Sequence, residues 1–155
     1  MTPQAKPQAK AKAALRDIAD TLYRAASESC REHRRYAELV DRDANDGEQK
    51  VARAAVRASD EVLDEAVDLY EIACLEESGH GNDAWWHKSN MVWRNAREYL
   101  RHQAASKRLL RGEDGHSRNE FMAMRIEHEL EASALLRLRQ AIESYKAARP
   151  EVAKV

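Results

Sequence analysis

The histidine, cysteine and carboxylate side chains that could do chemistry in this chain are scattered through it, yet helical counting gathers several at one height. His33 lies in the middle of an apolar stripe on the first helical segment, and His128 and Glu131 fall at successive inward positions of the last. Counting from the helix ends puts His33, His128 and His102 within about one helical turn of one another, roughly 8 Å in height. Cys30 and Ser59 fall near the same level. Imidazole and carboxylate groups that converge inside a helical bundle are a common way to bind a transition metal, because the metal offsets their desolvation. A site of His33, His102, His128 and Glu131 would have that chemistry. The simpler reading of the same residues is a structural polar layer, in which a buried His is satisfied by a neighbouring Glu.

More specific chemistries find little support. A ferritin-like di-metal carboxylate site takes a Glu-x-x-His pair from each of two helices, but the pairs here, Glu77 with His80 and Glu113 with His116, lie in Gly-containing connections. They read as solvated loop residues. The chain has no His-Glu-x-x-His motif, phosphate-binding P-loop, dinucleotide-binding glycine motif or Gly-x-Ser-x-Gly elbow. Cys30 and His33 share a helix face at a spacing that permits a thiolate–imidazolium pair, but no oxyanion hole or third orienting group accompanies them. The chain therefore leans away from an enzyme, with no cofactor expected unless the histidine layer takes a transition metal.

All three tryptophans fall between Trp85 and Trp93. Trp85 follows the inward stripe of its helix, whereas Trp86 and Trp93 are two turns apart and project together about 100° away. On the preceding helix Val56, Leu63 and Tyr70 form a second stripe beside the main one, and on the last helix Met122, Ile126 and Leu130 form another. Apolar surface in excess of one seam, rich in Trp, Tyr and Met, suggests a protein interface. Self-association as a dimer is the economical form of that idea, with Trp86, Trp93, Val56, Leu63 and Tyr70 as its residues; any other protein partner is unknown. The alternative is that Trp side chains plug the end of a bundle that needs a wide apolar stripe on every helix.

Four long helices must position these groups. Residues 1–8, MTPQAKPQ, have nothing to bury and read as a disordered tail. The single helical domain spans 9–149, and 150–155 is expected to be a second tail after Pro150. Within it, Leu15, Ile18, Leu22, Ala26, His33, Ala37 and Val40 mark the first helix, and Ala52, Ala55, Ser59, Val62, Ala66, Leu69 and Ala73 the second. The third carries Trp85, Ser89, Val92, Ala96, Tyr99, Gln103 and Leu110; the fourth carries Phe121, Met124, His128, Glu131, Leu135, Leu138, Ile142 and Tyr145. Capping boxes are available at Asn45/Glu48 or Asp46/Gln49 and at Ser117/Glu120. Short connections between long helices force antiparallel neighbours. The fold class is all-α, an up-down-up-down four-helix bundle, with two extended hairpins that pair only in a dimer as the alternative.

Charge narrows the partners. The chain has 26 Lys plus Arg against 27 Asp plus Glu, which gives no global attraction to nucleic acid or anionic membranes. Locally, 48–77 holds 3 basic and 9 acidic residues and 83–111 holds 7 basic and 2 acidic, so the second and third helices should attract each other. Nucleic-acid binding by Lys88, Arg94, Arg97, Arg101, Lys107, Arg108 and Arg111 is a third, weaker reading. No apolar run reaches the roughly 20 residues of a membrane span, and no secretory signal opens the sequence, so a cytoplasmic protein is expected. Cys30 and Cys74 are expected to be reduced and apart.

Overall fold

The computed structural model describes residues 5–76, 83–110 and 118–154, with side chains from residue 14 onward apart from those of 110 and 118–120. Helices α1 (Ala5–Asp41), α2 (Asp46–Glu76), α3 (Ala84–Leu110) and α4 (Arg118–Ala148) are followed by a short 3₁₀ turn, η1 (Pro150–Lys154). Among the described residues there is no strand. The expected all-α, antiparallel four-helix architecture is present, and the helices close on one another within one chain.

Local chemistry accounts for the ends. In the α1–α2 connection Asp43 adopts a left-handed conformation, φ 53°, and Ala44 N donates to Leu39 O at 3.0 Å, which satisfies carbonyls that the end of α1 leaves open. Asn45 Oδ1 then accepts from Glu48 N at 2.8 Å, so Asn45 is the N-cap of α2. Two bounds differ from expectation. Helix α1 begins at Ala5, with Pro7 in its first turn where its missing N–H is tolerated. The segment after Ala148 is not a loose tail: it turns back in η1 and buries Val152. The Ser117/Glu120 box and the Glu77/His80 and Glu113/His116 pairs lie outside the described residues.

The seams follow a heptad-like alternation of four and three residues. On α1 the inward line is Leu15, Ala19, Leu22, Ala26, Ser29 and His33; on α2 it is Ala52, Val56, Ser59, Leu63, Ala66 and Tyr70. On α3 it is Trp85, Ser89, Val92, Ala96, Tyr99 and Gln103, and on α4 it is Ala134, Leu138, Ala141 and Tyr145. Small residues recur on every line, which lets helix backbones approach closely. The tightest pairings are α1 with α2 and α3 with α4. Large side chains, including Leu22, Leu63, Tyr70, Tyr99, Leu138 and Tyr145, fill the space between these two hairpins.

The shared core occupies one end of the bundle. It runs from Leu15 to Cys30 on α1, Leu63 to Tyr70 on α2, Trp85 to Tyr99 on α3 and Ala134 to Tyr145 on α4, closed by Val152. Toward the other end, Leu39, Ala52 and Val56 are buried within the α1–α2 hairpin. There, no described residue of α3 beyond Tyr99 or of α4 before Ala134 is fully buried.

Candidate functional site

A buried carboxylate marks the boundary between the core and the distal end. Asp60, on α2 and 3% exposed, gathers donors from two other helices. Its Oδ1 accepts from Ser29 Oγ of α1 at 3.0 Å. Its Oδ2 accepts from Tyr99 OH of α3 at 2.9 Å and from the amide of Gln103, and lies 3.3 Å from His33 Nε2 of α1. Tyr99 OH also contacts His33 Nε2 and lies 3.2 Å from Gln103 Nε2. With the His33 proton on Nε2 every group is satisfied: His33 and Gln103 donate to both Asp60 and the Tyr99 oxygen, and the Tyr99 hydroxyl donates to Asp60. Burial, reinforced by Asp60, pushes the Tyr99 phenol far above its usual range, which keeps it a donor.

A buried carboxylate fully supplied with hydrogen bonds is a stable structural element. With Asp60 almost inaccessible, the arrangement is a clasp joining α1, α2 and α3. Cys30, one residue from Ser29, adds no nucleophile, because burial pushes its thiol up to about 11 despite the nearby Arg139 guanidinium. Both cysteines are free thiols, Cys30 buried and Cys74 half-buried.

Two further polar ties join the helices within the core. Tyr70 OH of α2 contacts Ser89 Oγ at 2.8 Å and donates to Asn90 Oδ1 of α3 at 2.7 Å. Asp20 of α1, 6% exposed, accepts from Tyr145 OH at 2.6 Å and from both Nε and an Nη of Arg149, at 3.2 and 2.6 Å.

The expected histidine layer is divided. His33 belongs to the Asp60 clasp. His102 forms a separate α3–α4 tie, with Nδ1 2.9 Å from Glu127 Oε2 and Nε2 3.2 Å from Glu98 Oε1. His128 is exposed and Glu131 half-buried. The reason is a one-residue phase difference on α4: extended back from Tyr145 through Ala134, the inward line passes Glu131, Glu127 and Met124, so Glu127 takes the place assigned to His128. Among the described residues no group of three or more His, Cys, Asp or Glu side chains is arranged to hold a metal ion.

The expected Trp-rich face also moves inward. Val56, Leu63 and Tyr70 are buried seam residues of α2 rather than an outward stripe, while Val62 and Leu69, expected on the seam, are 55% and 58% exposed. Trp86 and Trp93 are half-buried against the core, their rings 6.1 and 6.4 Å from that of Tyr70. The sequence permits both spacings, and they differ only in where each four-residue step falls against each three-residue step. On α3, Arg97 lies over the Trp93 ring and 3.9 Å from Glu71 of α2. This is the attraction expected from the opposite charges of the two helices. Asp60 itself carries no signal in the sequence, because a carboxylate one place beyond Ser59 resembles the solvated acidic face of α2.

No known family, curated protein or solved structure matches this chain. Among the described residues, no helix is long and apolar enough to cross a membrane.

Proposed function

We propose that the protein is a non-enzymatic helical bundle that self-associates as a dimer and serves as a scaffold, adaptor or regulator, through the distal half of α4 rather than through the tryptophans. The observation that carries this reading is the exposed apolar line Met122, Ile126 and Leu130, at 60%, 52% and 39% exposure. It lies where the protein's own core has ended. A line of residues four apart is a ridge, and two such ridges interdigitate at about −50°.

A second copy of the chain suits this line because the line is self-complementary. In an antiparallel α4–α4 contact centred on Ile126, Met122 faces Leu130 of the other copy and Ile126 faces itself. Such closure satisfies the two-fold symmetry of an isologous dimer. A contact of a few side chains belongs to the small class, below about 1,200 Å², so a roughly micromolar Kd is expected.

Sedimentation equilibrium over a range of concentrations tests it. The expected result is a monomer–dimer equilibrium that Ile126→Glu shifts to monomer with its helical circular dichroism unchanged. A chain that stays monomeric at the highest concentrations, or a dimer indifferent to both Ile126→Glu and Met122→Glu, refutes the reading.

A further inference from the structure

On the opposite flank from α2 and α3, a cleft of ≈ 330 Å³ opens between α1 and α4, lined by Tyr23, Ser27, Cys30, Arg31, Arg34, Arg139, Ile142, Glu143 and Lys146. Four cationic side chains face it against one carboxylate, in a chain whose formal net charge is only -1. Two of its polar atoms, Ser27 Oγ and Arg139 Nε, are buried without a hydrogen-bond partner. Buried donors left unmade are costly, and each such group calls for an explanation.

We infer that this cleft is a binding site for a small organic diphosphate, held by Arg34, Arg139 and Lys146 and by the Ser27 hydroxyl. The cations set the ligand class. Arg31 and Arg34 lie about one turn apart on α1, and Arg139 and Lys146 lie two turns apart on α4, about 10 Å along the axis. That spread exceeds one phosphate group and suits two. Guanidinium groups offer the forked donors that phosphate oxygens accept, and Lys adds a point charge. Arg31 is the least committed to a ligand, since it already pairs with Glu28 at 2.5 Å. Tyr23 and Ile142 supply an apolar wall beside the cationic groups, where an organic substituent can rest. The Cys30 thiol, held protonated, lines the cleft as a neutral group that does not repel an anion. This site is independent of the α4 dimer ridge.

Isothermal titration calorimetry with inorganic pyrophosphate, against sodium sulfate at equal ionic strength, tests the site. Saturable binding of one pyrophosphate per chain is expected, weakened at least tenfold by Arg34→Gln combined with Lys146→Gln. Both residues are exposed, so this variant should fold normally. Pyrophosphate that binds no better than sulfate, or affinity unchanged in the double variant, would overturn the inference.

Discussion

Replacing Asp60 by alanine removes the acceptor on which Ser29, His33, Tyr99 and Gln103 converge. Each hydrogen bond to a buried charged group contributes about 1.5–3 kcal/mol, but the four are not additive, because Tyr99 and His33 can still bond to each other. A buried donor left unsatisfied costs about 1–3 kcal/mol, and several are left at once, against a total stability of about 5–15 kcal/mol for a domain. Asp60→Ala should therefore remove a large fraction of the stability. Asp60→Asn keeps the shape and one acceptor but turns an NH2 group toward other donors, so it should cost about 2–3 kcal/mol. The assay is urea unfolding followed by tryptophan fluorescence, with Asp64→Ala, an exposed α2 carboxylate, as a control expected to stay within about 0.5 kcal/mol. A double cycle with His33→Ala should show strong coupling. If Asp60→Ala unfolds within about 0.5 kcal/mol of the unaltered protein, the clasp does not hold the bundle together and the reasoning fails.

Other consequences are open to the same measurements. Arg149→Ala strips Asp20 of two of its three donors and should lower stability by about 2–3 kcal/mol, with Arg149→Lys recovering part of the loss; equal melting of all three proteins would contradict the latch. Burial raises Cys30 from 9.0 to about 11 and lifts Tyr70, Tyr99 and Tyr145 above the usual phenol range. The folded state thus keeps these protons where the unfolded chain has lost them. Stability should be fully present below about pH 9 and fall as pH rises toward 11, by about 1.4 kcal/mol per pH unit for each group in its window. Denaturation curves that are independent of pH across that range would rule this out.

Much of the architecture is legible in the sequence because helix length, caps and short connections act locally. The third helix is read residue for residue from Trp85 to Gln103, where the inward positions alternate four and three. The second helix shows why the rest is harder. Val56 and Ala55, Leu63 and Val62, and Tyr70 and Leu69 are adjacent pairs of similar hydrophobicity, and only the shape of the opposing helices decides which member turns inward. The same ambiguity on α4 exchanges His128 for Glu127, and with that exchange a four-residue metal site separates into two unrelated polar ties. Asp60 is invisible to a search for apolar stripes, because its partners lie on two other helices and meet it only after folding.

The position of the Asp60 clasp explains how a sequence rich in alanine selects one register. Small seam residues allow close helix contact but discriminate weakly between alignments one heptad apart, because Ala19, Ala26, Ala66 and Ala96 fit one another in many combinations. A buried carboxylate does discriminate: a shift of α1 or α3 against α2 by one turn, about 5.4 Å, would leave Asp60 facing apolar side chains without donors. Asp20 with Tyr145 and Arg149, and Tyr70 with Ser89 and Asn90, impose the same condition between α1 and α4 and between α2 and α3. Three polar ties therefore fix three helix–helix registers. Beyond the clasp toward the distal end, α3 and α4 are linked by His102 with Glu127, and the apolar ridge of α4 is left on the outside of the molecule. A bundle whose register is fixed within its own core can expose such a ridge without losing its fold, which is the condition a reversible self-association surface requires.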